Sequence, residues 1–415
     1  MAPHQSQSTD RCPFPFRPQD QQPGPDPLEP ERPPTGAAGG PVTPIVMSST
    51  GERAWWVSGL AECREVYRDD KAFTRGDADE IRPYLRLAPL ILALDGPHHR
   101  VLRSIVSKDF TPRRIDAFRP AVTALANQSL DAMLAVGEPA DLFGQWALPL
   151  SLNAISDMLG TPIEDRAQFR QWGDGLLDVG PDREARNAAA MQAMVGYVAQ
   201  LMAQRQQNPT DDLLSAITAN AADSGEVSPE EAALLNASLV IAGWETTAAA
   251  LVTAVLRLLT TPADDGTTLY RWLCEHREHI PTAVEEILRY VPNSWFDSGQ
   301  PRRAAQDVEL GGVKISKGDV VIVAHDVANR DPRVFPDPER FDLTRTPNPH
   351  LAFGSGVHHC LGAHLARLEL NVGLEVLTAR LPDLRLADDP ADIAWHTVTP
   401  IRRPESLAVA WSQEN

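Results

Sequence analysis

The chain has 415 residues, 43 % hydrophobic and 23 % charged, with a formal net charge of −18. That balance is ordinary for a globular enzyme of one or two domains, and the acidic excess argues against nucleic acid as a general partner, because phosphate binding needs a basic face. The four cysteines, Cys12, Cys63, Cys274 and Cys360, form no close pair, so neither a zinc spacing nor a disulfide framework is legible and a reducing compartment is expected.

In chain order, residues 1 to 45 hold a dozen of the 36 prolines, a composition expected to give an extended or disordered arm that buries no core. No apolar run there has the length of a signal region or a membrane span, so a cytoplasmic protein without membrane attachment is expected. AWWVSG (54–59) reads as a strand and 60–73 as the helix after it. Helical periodicity then dominates, near 97–107, 112–135, 150–159, 165–179, 182–206, 211–222, 228–260, 267–276 and 281–290. Thr161-Pro162, Pro181-Asp182 and Ser228-Pro229-Glu230-Glu231 supply start signals. Residues 307–331 alternate in short runs broken by Gly-Gly and Lys-Gly turns, a β-rich block. An irregular stretch (332–359) precedes one more helix at about 360–380, with Leu361, Leu365, Leu368 and Val372 at helical spacing. No internal repeat is present. The fold class expected is mostly α with small β-sheets (α+β).

The strongest chemical signal is HLAFGSGVHHCLGAHLARLEL (350–370). Gly354 and Gly356 permit backbone shapes closed to other residues. Cys360 falls at the start of a helix, where free N–H groups and the dipole favour a thiolate. Gly362 lets a large flat group approach. A lone free cysteine is more often a small core residue; the company of Phe353, Gly354, Gly356, His358 and Gly362 argues otherwise.

FGSGVHHCLG resembles the haem-binding loop of the cytochromes P-450. The resemblance covers about residues 48 to 412 and implies a single catalytic domain (46–412). The implied fold is a triangular helix-rich prism, with haem b between an oxygen-activating helix and the cysteine-loop helix. It implies Cys360 as axial thiolate and metal ligand, Phe353 packed against it, and His358 at a haem propionate. A thiolate ligand favours O–O cleavage.

Three further segments agree with the resemblance. Glu286 and Arg289 lie three apart on one helix side, by themselves no more than an exposed ion pair. They look like the family's E-x-x-R, with Arg340 of FPDPERFD as third member of a structural lock. In LVIAGWETTAAALV (239–252), Thr246 can bond the carbonyl of Ala242 and bend the helix, although a core helix with a satisfied threonine is the plainer reading. By resemblance Glu245 and Thr246 are the acid–alcohol pair that delivers protons to dioxygen. Ala242 would lie over the haem, while Trp244, roughly 200° around the helix, belongs to the core. In 94–115, His99 and Arg103 share a helical face suited to an anionic cofactor edge or to solvent. With Arg302 they resemble propionate-binding positions, although His98-His99-Arg100 departs from the usual local pattern.

Between Arg289 and Arg302 the chain runs YVPNSWFDSGQP, longer than is common in bacterial members. This segment is expected to line a mostly apolar substrate pocket through Asn293, Trp295 and Phe296, together with Leu85, Leu92, Ala242 and Ile401. Trp295 and Phe296 hint at an aromatic or bulky natural product, and equally fit a core.

No flavin or nucleotide fingerprint occurs. The implied activity is therefore a haem-thiolate monooxygenase of natural-product metabolism, taking NAD(P)H electrons through a separate ferredoxin or flavodoxin and its reductase. Arg100, Arg113, Arg114 and Arg367 are the candidate docking patch. Oxidative coupling or cyclisation without oxygen insertion is the alternative chemistry, and a non-catalytic haem-binding protein the alternative from another class.

Overall fold

The computed structural model describes residues 12–14, 26–32, 40–48, 50–76, 81, 91–178, 183–295 and 301–412. Its helices are α1 (Leu60–Arg68), α2 (Gly96–Ser107), α3 (Pro112–Ala117), α4 (Arg119–Val136), α5 (Leu148–Leu159), α6 (Arg166–Leu177) and α7 (Arg183–Gln207), followed by α8 (Leu213–Ser224), α9 (Pro229–Thr260), α10 (Leu269–Glu275), α11 (Ile280–Tyr290), α12 (His325–Ala328) and α13 (Ala363–Arg380). The strands are β1 (Cys12–Phe14), β2 (Val42–Met47), β3 (Arg53–Val57), β4 (Phe73–Thr74), β5 (Ala140–Asp141) and β6 (Arg302–Ala304), then β7 (Val308–Leu310), β8 (Val313–Ile315), β9 (Val320–Val323), β10 (Arg385–Leu386) and β11 (Ala408–Ala410).

The strands make three small sheets, in the orders β1-β2-β3-β9-β6-β4, β10-β11-β5 and β7-β8. In the first, β3 pairs parallel with β9, Trp55 opposite Val321, and β6 pairs antiparallel with β9, Arg302 opposite the same Val321. This sheet therefore carries Arg302 to a fixed place. The β7-β8 hairpin turns on Gly311 and Gly312, with φ of +57° and +77°, the positive values a tight hairpin demands.

The main core gathers around α9, which is apolar on nearly every side, as a helix surrounded by protein must be. Its start is held by a reciprocal cap: Glu231 N donates to Ser228 Oγ at 3.1 Å, and Ser228 N to Glu231 Oε2 at 2.8 Å. Trp244, 1 % exposed, packs inward as its angle on the helix predicts. A Cβ on Gly173 of α6 would lie 2.6 Å from its ring, so the glycine is what lets α6 lie so close.

Several boundaries differ from expectation for local reasons. The segment 112–135 is two helices, because Pro120 has no N–H and forces a restart after Phe118. The helix at 60 stops at Arg68, where Asp69 Oδ1 accepts from Ala72 N and the chain turns into β4. Part of the β-rich block, His325–Ala328, is a helical turn.

The N-terminal arm also needs correction where it is described. β1 pairs parallel with β2, and Leu28 is a buried member of the main core. Glu29 bonds Arg257 at 2.9 Å and also Arg330. The described parts of the arm are held against the domain by β2, Arg257 and Arg330, which its composition did not reveal.

Candidate active site

The cysteine loop is shaped by two glycines in the left-handed region, Gly354 (φ +67°) and Gly356 (φ +74°). A Cβ on Gly356 would lie 2.3 Å from the carbonyl oxygen of Tyr67, so only glycine lets the loop rest on α1. Cys360 N closes the loop by donating to Phe353 O at 2.9 Å. The Arg367 guanidinium covers the Phe353 ring at 4.5 Å and bonds both oxygens of Glu285, at 2.7 and 3.0 Å.

Cys360 lies three residues ahead of α13, not on its first turn. Its surface is accessible, yet it sits in a crevice walled by protein, and that burial pushes the thiol pKa up. The Gly362 N–H, Arg103 and Arg367 pull the other way. Desolvation and these donors thus act on the thiol in opposite directions.

Glu286 and Arg289 are both completely buried, with Arg289 Nε and Nη2 each 2.7 Å from a Glu286 oxygen. Arg289 also donates to the carbonyls of Asn329, Pro338 and Arg340. The third arginine is Arg345, whose Nε stands 3.2 Å from both Glu286 oxygens. Arg340 is corrected: its side chain is 64 % exposed, near Asp264, and it contributes only a carbonyl. Asn348 Nδ2 and Asp342 N complete the carboxylate's partners at 3.1 and 2.9 Å. The network ties α11 to the 336–348 segment that leads into the cysteine loop.

On α9, Thr246 Oγ1 donates to Ala242 O at 2.7 Å, the bond expected from the sequence, and Ala242 is exposed beside it. Glu245 is 2 % exposed. Its Oε1 accepts from Thr399 Oγ1 at 3.4 Å and from Arg403 Nε at 3.3 Å. Burial raises its pKa, Arg403 opposes the rise and Asp174 adds to it.

His99, Arg103, Arg302 and His358 are brought together, and Arg75 joins them. The His99 and His358 rings lie 4.1 Å apart, and His358 Nε2 is 3.4 Å from Asp95. Arg103 donates to the carbonyl of His359. Arg302, 1 % exposed, lies 5.7 Å from the centre of the Tyr67 ring. Burial and the neighbouring arginines hold His358 down to about 3 and His99 to about 4. Arg75 is buried, spends Nη1 on Leu92 O, and keeps a buried Nε with no partner among the described residues.

Of the expected pocket residues, Leu85 and Phe296 lie outside the described residues. Leu92 is 38 % exposed. Ile401 forms an antiparallel bridge with Ser294, and Asn293 turns its amide to α9, donating to Thr246 O at 3.3 Å. Trp295 is corrected to core: it is 2 % exposed, bonds His396 O at 2.8 Å, and meets Trp395 edge-on at 5.7 Å.

Arg75, Arg345, Thr399 and Arg403 were missed in the sequence. No spacing marks them, since Arg403 stands 158 residues from the acid it serves.

The cytochrome P-450 family model matches residues 274–380. The chain is 38 % identical over 366 residues to mycinamicin IV hydroxylase/epoxidase of Micromonospora griseorubida, covering 87 % of this chain and 90 % of that protein. The chain belongs to the cytochrome P-450 family. Nocardicin C N-oxygenase of Nocardia uniformis subsp. tsuyamanensis is equally similar, 38 % identical over 370 residues and covering 87 % and 90 %. Among solved structures, a mutant of the mixed-function P-450 MycG in complex with mycinamicin IV superimposes with a TM-score of 0.85 at 35 % identity, over 97 % of this chain and 100 % of that one.

This P-450 is a monooxygenase, an oxidoreductase that uses haem iron and dioxygen. Its residues fit the haem. Three guanidiniums and two imidazoles converge where few carboxylates oppose them, and the partnerless Arg75 Nε needs an anion; two propionates answer that need. Nothing lies within 4 Å of a Cβ built on Gly362, so a flat ring can approach beside Cys360.

Proposed function

We propose that this P-450 oxidises a small organic molecule of natural-product metabolism. Its electrons come from NAD(P)H through a separate ferredoxin or flavodoxin and its reductase, in the cytoplasm. Cys360 would bind the haem iron as a thiolate; Arg75, His99, Arg103, Arg302 and His358 would hold the propionates. Ala242 and Gly362 would leave room for the haem, and Phe353 and Gly354 shape the loop. The Glu286–Arg289–Arg345 lock keeps that loop in place. When bound, the haem supplies the site at which dioxygen is activated.

The observation that carries this reading is the pairing of Glu245 with Thr246 on one turn of α9. The Thr246 hydroxyl is anchored on Ala242 O and Glu245 is a buried acid with a raised pKa. Burial favours the protonated form of this carboxyl, and the hydroxyl can pass the proton on, a form of acid catalysis that contributes about 10²–10⁴-fold. Two likenesses support the substrate class, since the relatives' names refer to mycinamicin and nocardicin. The one described helix long and apolar enough to cross a membrane is α9 itself, 72 % buried over its most apolar stretch. That is the profile of a core helix.

A second reading keeps the same site and uses it for oxidative coupling without oxygen insertion. It is favoured by the likeness to cytochrome P-450mel, whose structure is described as having biaryl coupling reactivity, at a TM-score of 0.81 and 35 % identity over 89 % of this chain and 93 % of that one.

A natural-product collection screened for shifts of the ferric spin state identifies the substrate, and turnover under labelled dioxygen then tests the reading. Label in the product supports oxygen insertion; an oxidised product without label supports coupling. A reduced, carbon-monoxide-bound protein with the spectrum of a histidine-ligated haem would overturn Cys360 as ligand.

A further inference from the structure

The two residues of the acid–alcohol pair are gripped from two edges of one short paired segment. Beyond α11 the chain turns, and Ser294 bridges antiparallel to Ile401. Backbone bonds extend the pairing on both sides, Arg402 N to Asn293 O at 3.2 Å and Trp295 N to Pro400 O at 3.1 Å. From one edge, Asn293 Nδ2 donates to the Thr246 carbonyl at 3.3 Å. From the other, Thr399 and Arg403 both reach one oxygen of Glu245, Oε1. Its second oxygen, Oε2, is buried and has no hydrogen-bond partner among the described residues.

The clip is stiff from behind. Trp295 is fully enclosed between Trp395 and the Arg402 guanidinium, which lies 4.9 Å from its ring centre. Arg402 in turn donates to the carbonyls of Pro27 and Glu29, at 3.1 and 2.6 Å. The N-terminal segment 26–32 thus braces the pair against α9.

We infer that Asn293, Thr399 and Arg403 are positioning residues that anchor Glu245 through Oε1 and leave Oε2 as the oxygen that takes up and hands on the proton. The inference rests on the proton-delivery reading of Glu245 and Thr246. A carboxyl with both oxygens equally bonded has no preferred place for its proton. With Oε1 held by a cation and a hydroxyl, protonation is directed to Oε2, and the carboxyl returns to its starting charge each time a proton from solvent replaces the one passed on. Arg403 has a second duty. Burial favours the protonated acid and Asp174 of α6 reinforces that, while Arg403, helped by Thr399, favours the anion. The same guanidinium also faces Asp174, Arg170 and His396, and its Cζ lies 4.1 Å from the centre of the Phe143 ring. Its position is therefore fixed from several elements.

The test is infrared titration of the Glu245 carboxyl in the carbon-monoxide-bound, reduced holoenzyme, the band being identified by its loss in Glu245→Gln. Removing a cation at this distance raises a carboxyl midpoint by about one to three pH units. Arg403→Gln is expected to show that rise, Arg403→Lys to restore most of it, and Thr399→Ala to give a smaller rise. Asn293→Ala is expected to broaden the band without moving its midpoint. An unchanged midpoint in Arg403→Gln, with wild-type haem content, overturns the inference. Should Arg403→Gln fail to fold, an unchanged midpoint in Thr399→Ala overturns it equally. The underlying reading fails separately: it falls if Glu245→Gln keeps the wild-type solvent isotope effect on dioxygen consumption, measured with a ferredoxin and reductase pair supplying electrons.

Discussion

Arg345 stands 3.2 Å from both oxygens of Glu286, while Arg340, five residues earlier, points to solvent and lends only its carbonyl. Glu286 has no exposed side-chain surface, so each of its partners matters. Arg345→Ala leaves a buried carboxylate short of charge and is expected to destabilise by about 3 kcal/mol. Arg340→Ala is expected to change stability by less than about 0.5 kcal/mol, as exposed substitutions do. Urea unfolding of the two holoenzymes, with haem content followed alongside, decides the assignment; equal losses would return Arg340 to the lock.

Arg75 supplies a buried donor that lacks an acceptor. If a propionate is that acceptor, Arg75→Ala removes a charge-assisted bond worth about 1.5–3 kcal/mol, and haem leaves about ten- to a hundredfold faster. The transfer of haem to an excess of apomyoglobin measures this directly. Release at the wild-type rate would mean that Arg75 serves only the backbone of its own loop.

Glu369 of α13 is fully buried, and burial pushes its pKa up to about 8. Ser151 is near enough to favour the anion slightly, yet neither carboxyl oxygen completes a hydrogen bond among the described residues. The unfolded chain loses this proton near the ordinary glutamate value, whereas the folded protein keeps it until about pH 8. Between those values the folded state binds the extra proton, so stability falls as pH rises, by roughly 1.4 kcal/mol per unit from this group. Glu369→Gln is expected to flatten that slope and to stabilise the protein most at pH 8. Unfolding free energies at intervals from pH 5 to 8 test this; an unaltered slope would show that Glu369 ionises normally.

The candidate docking patch divides. Arg367 is engaged by Glu285, Arg100 lies 3.5 Å from Asp70, and Arg114 pairs with the buried Asp109, whereas Arg113 is exposed. Arg113→Glu is expected to slow reduction by an acidic ferredoxin, more at low salt than at high, with stability unchanged. Arg114→Glu also sets a carboxylate against Asp109 and is expected to lose about 1 kcal/mol or more of stability. Stopped-flow reduction at two ionic strengths separates these effects. An unaffected rate in Arg113→Glu places the docking surface elsewhere.

The residues that local pattern determines were legible in the chain. Gly354, Gly356 and Cys360 occur in one short loop whose backbone geometry only glycine allows. The helical period places Thr246 over Ala242 and turns Trp244 to the core. Tertiary structure alone decided which distant groups meet them. Arg345 rather than Arg340 reaches Glu286, and Arg403 crosses 158 positions to reach Glu245. Trp295 is sealed under an N-terminal segment whose composition read as an arm apart. The physical reason is common to all three. Backbone period and glycine geometry are local properties, whereas the partner of a buried charge is whichever group the completed core leaves within reach. The opposing effects on Cys360 belong to the same class, since how far burial raises its pKa depends on walls contributed by the whole chain.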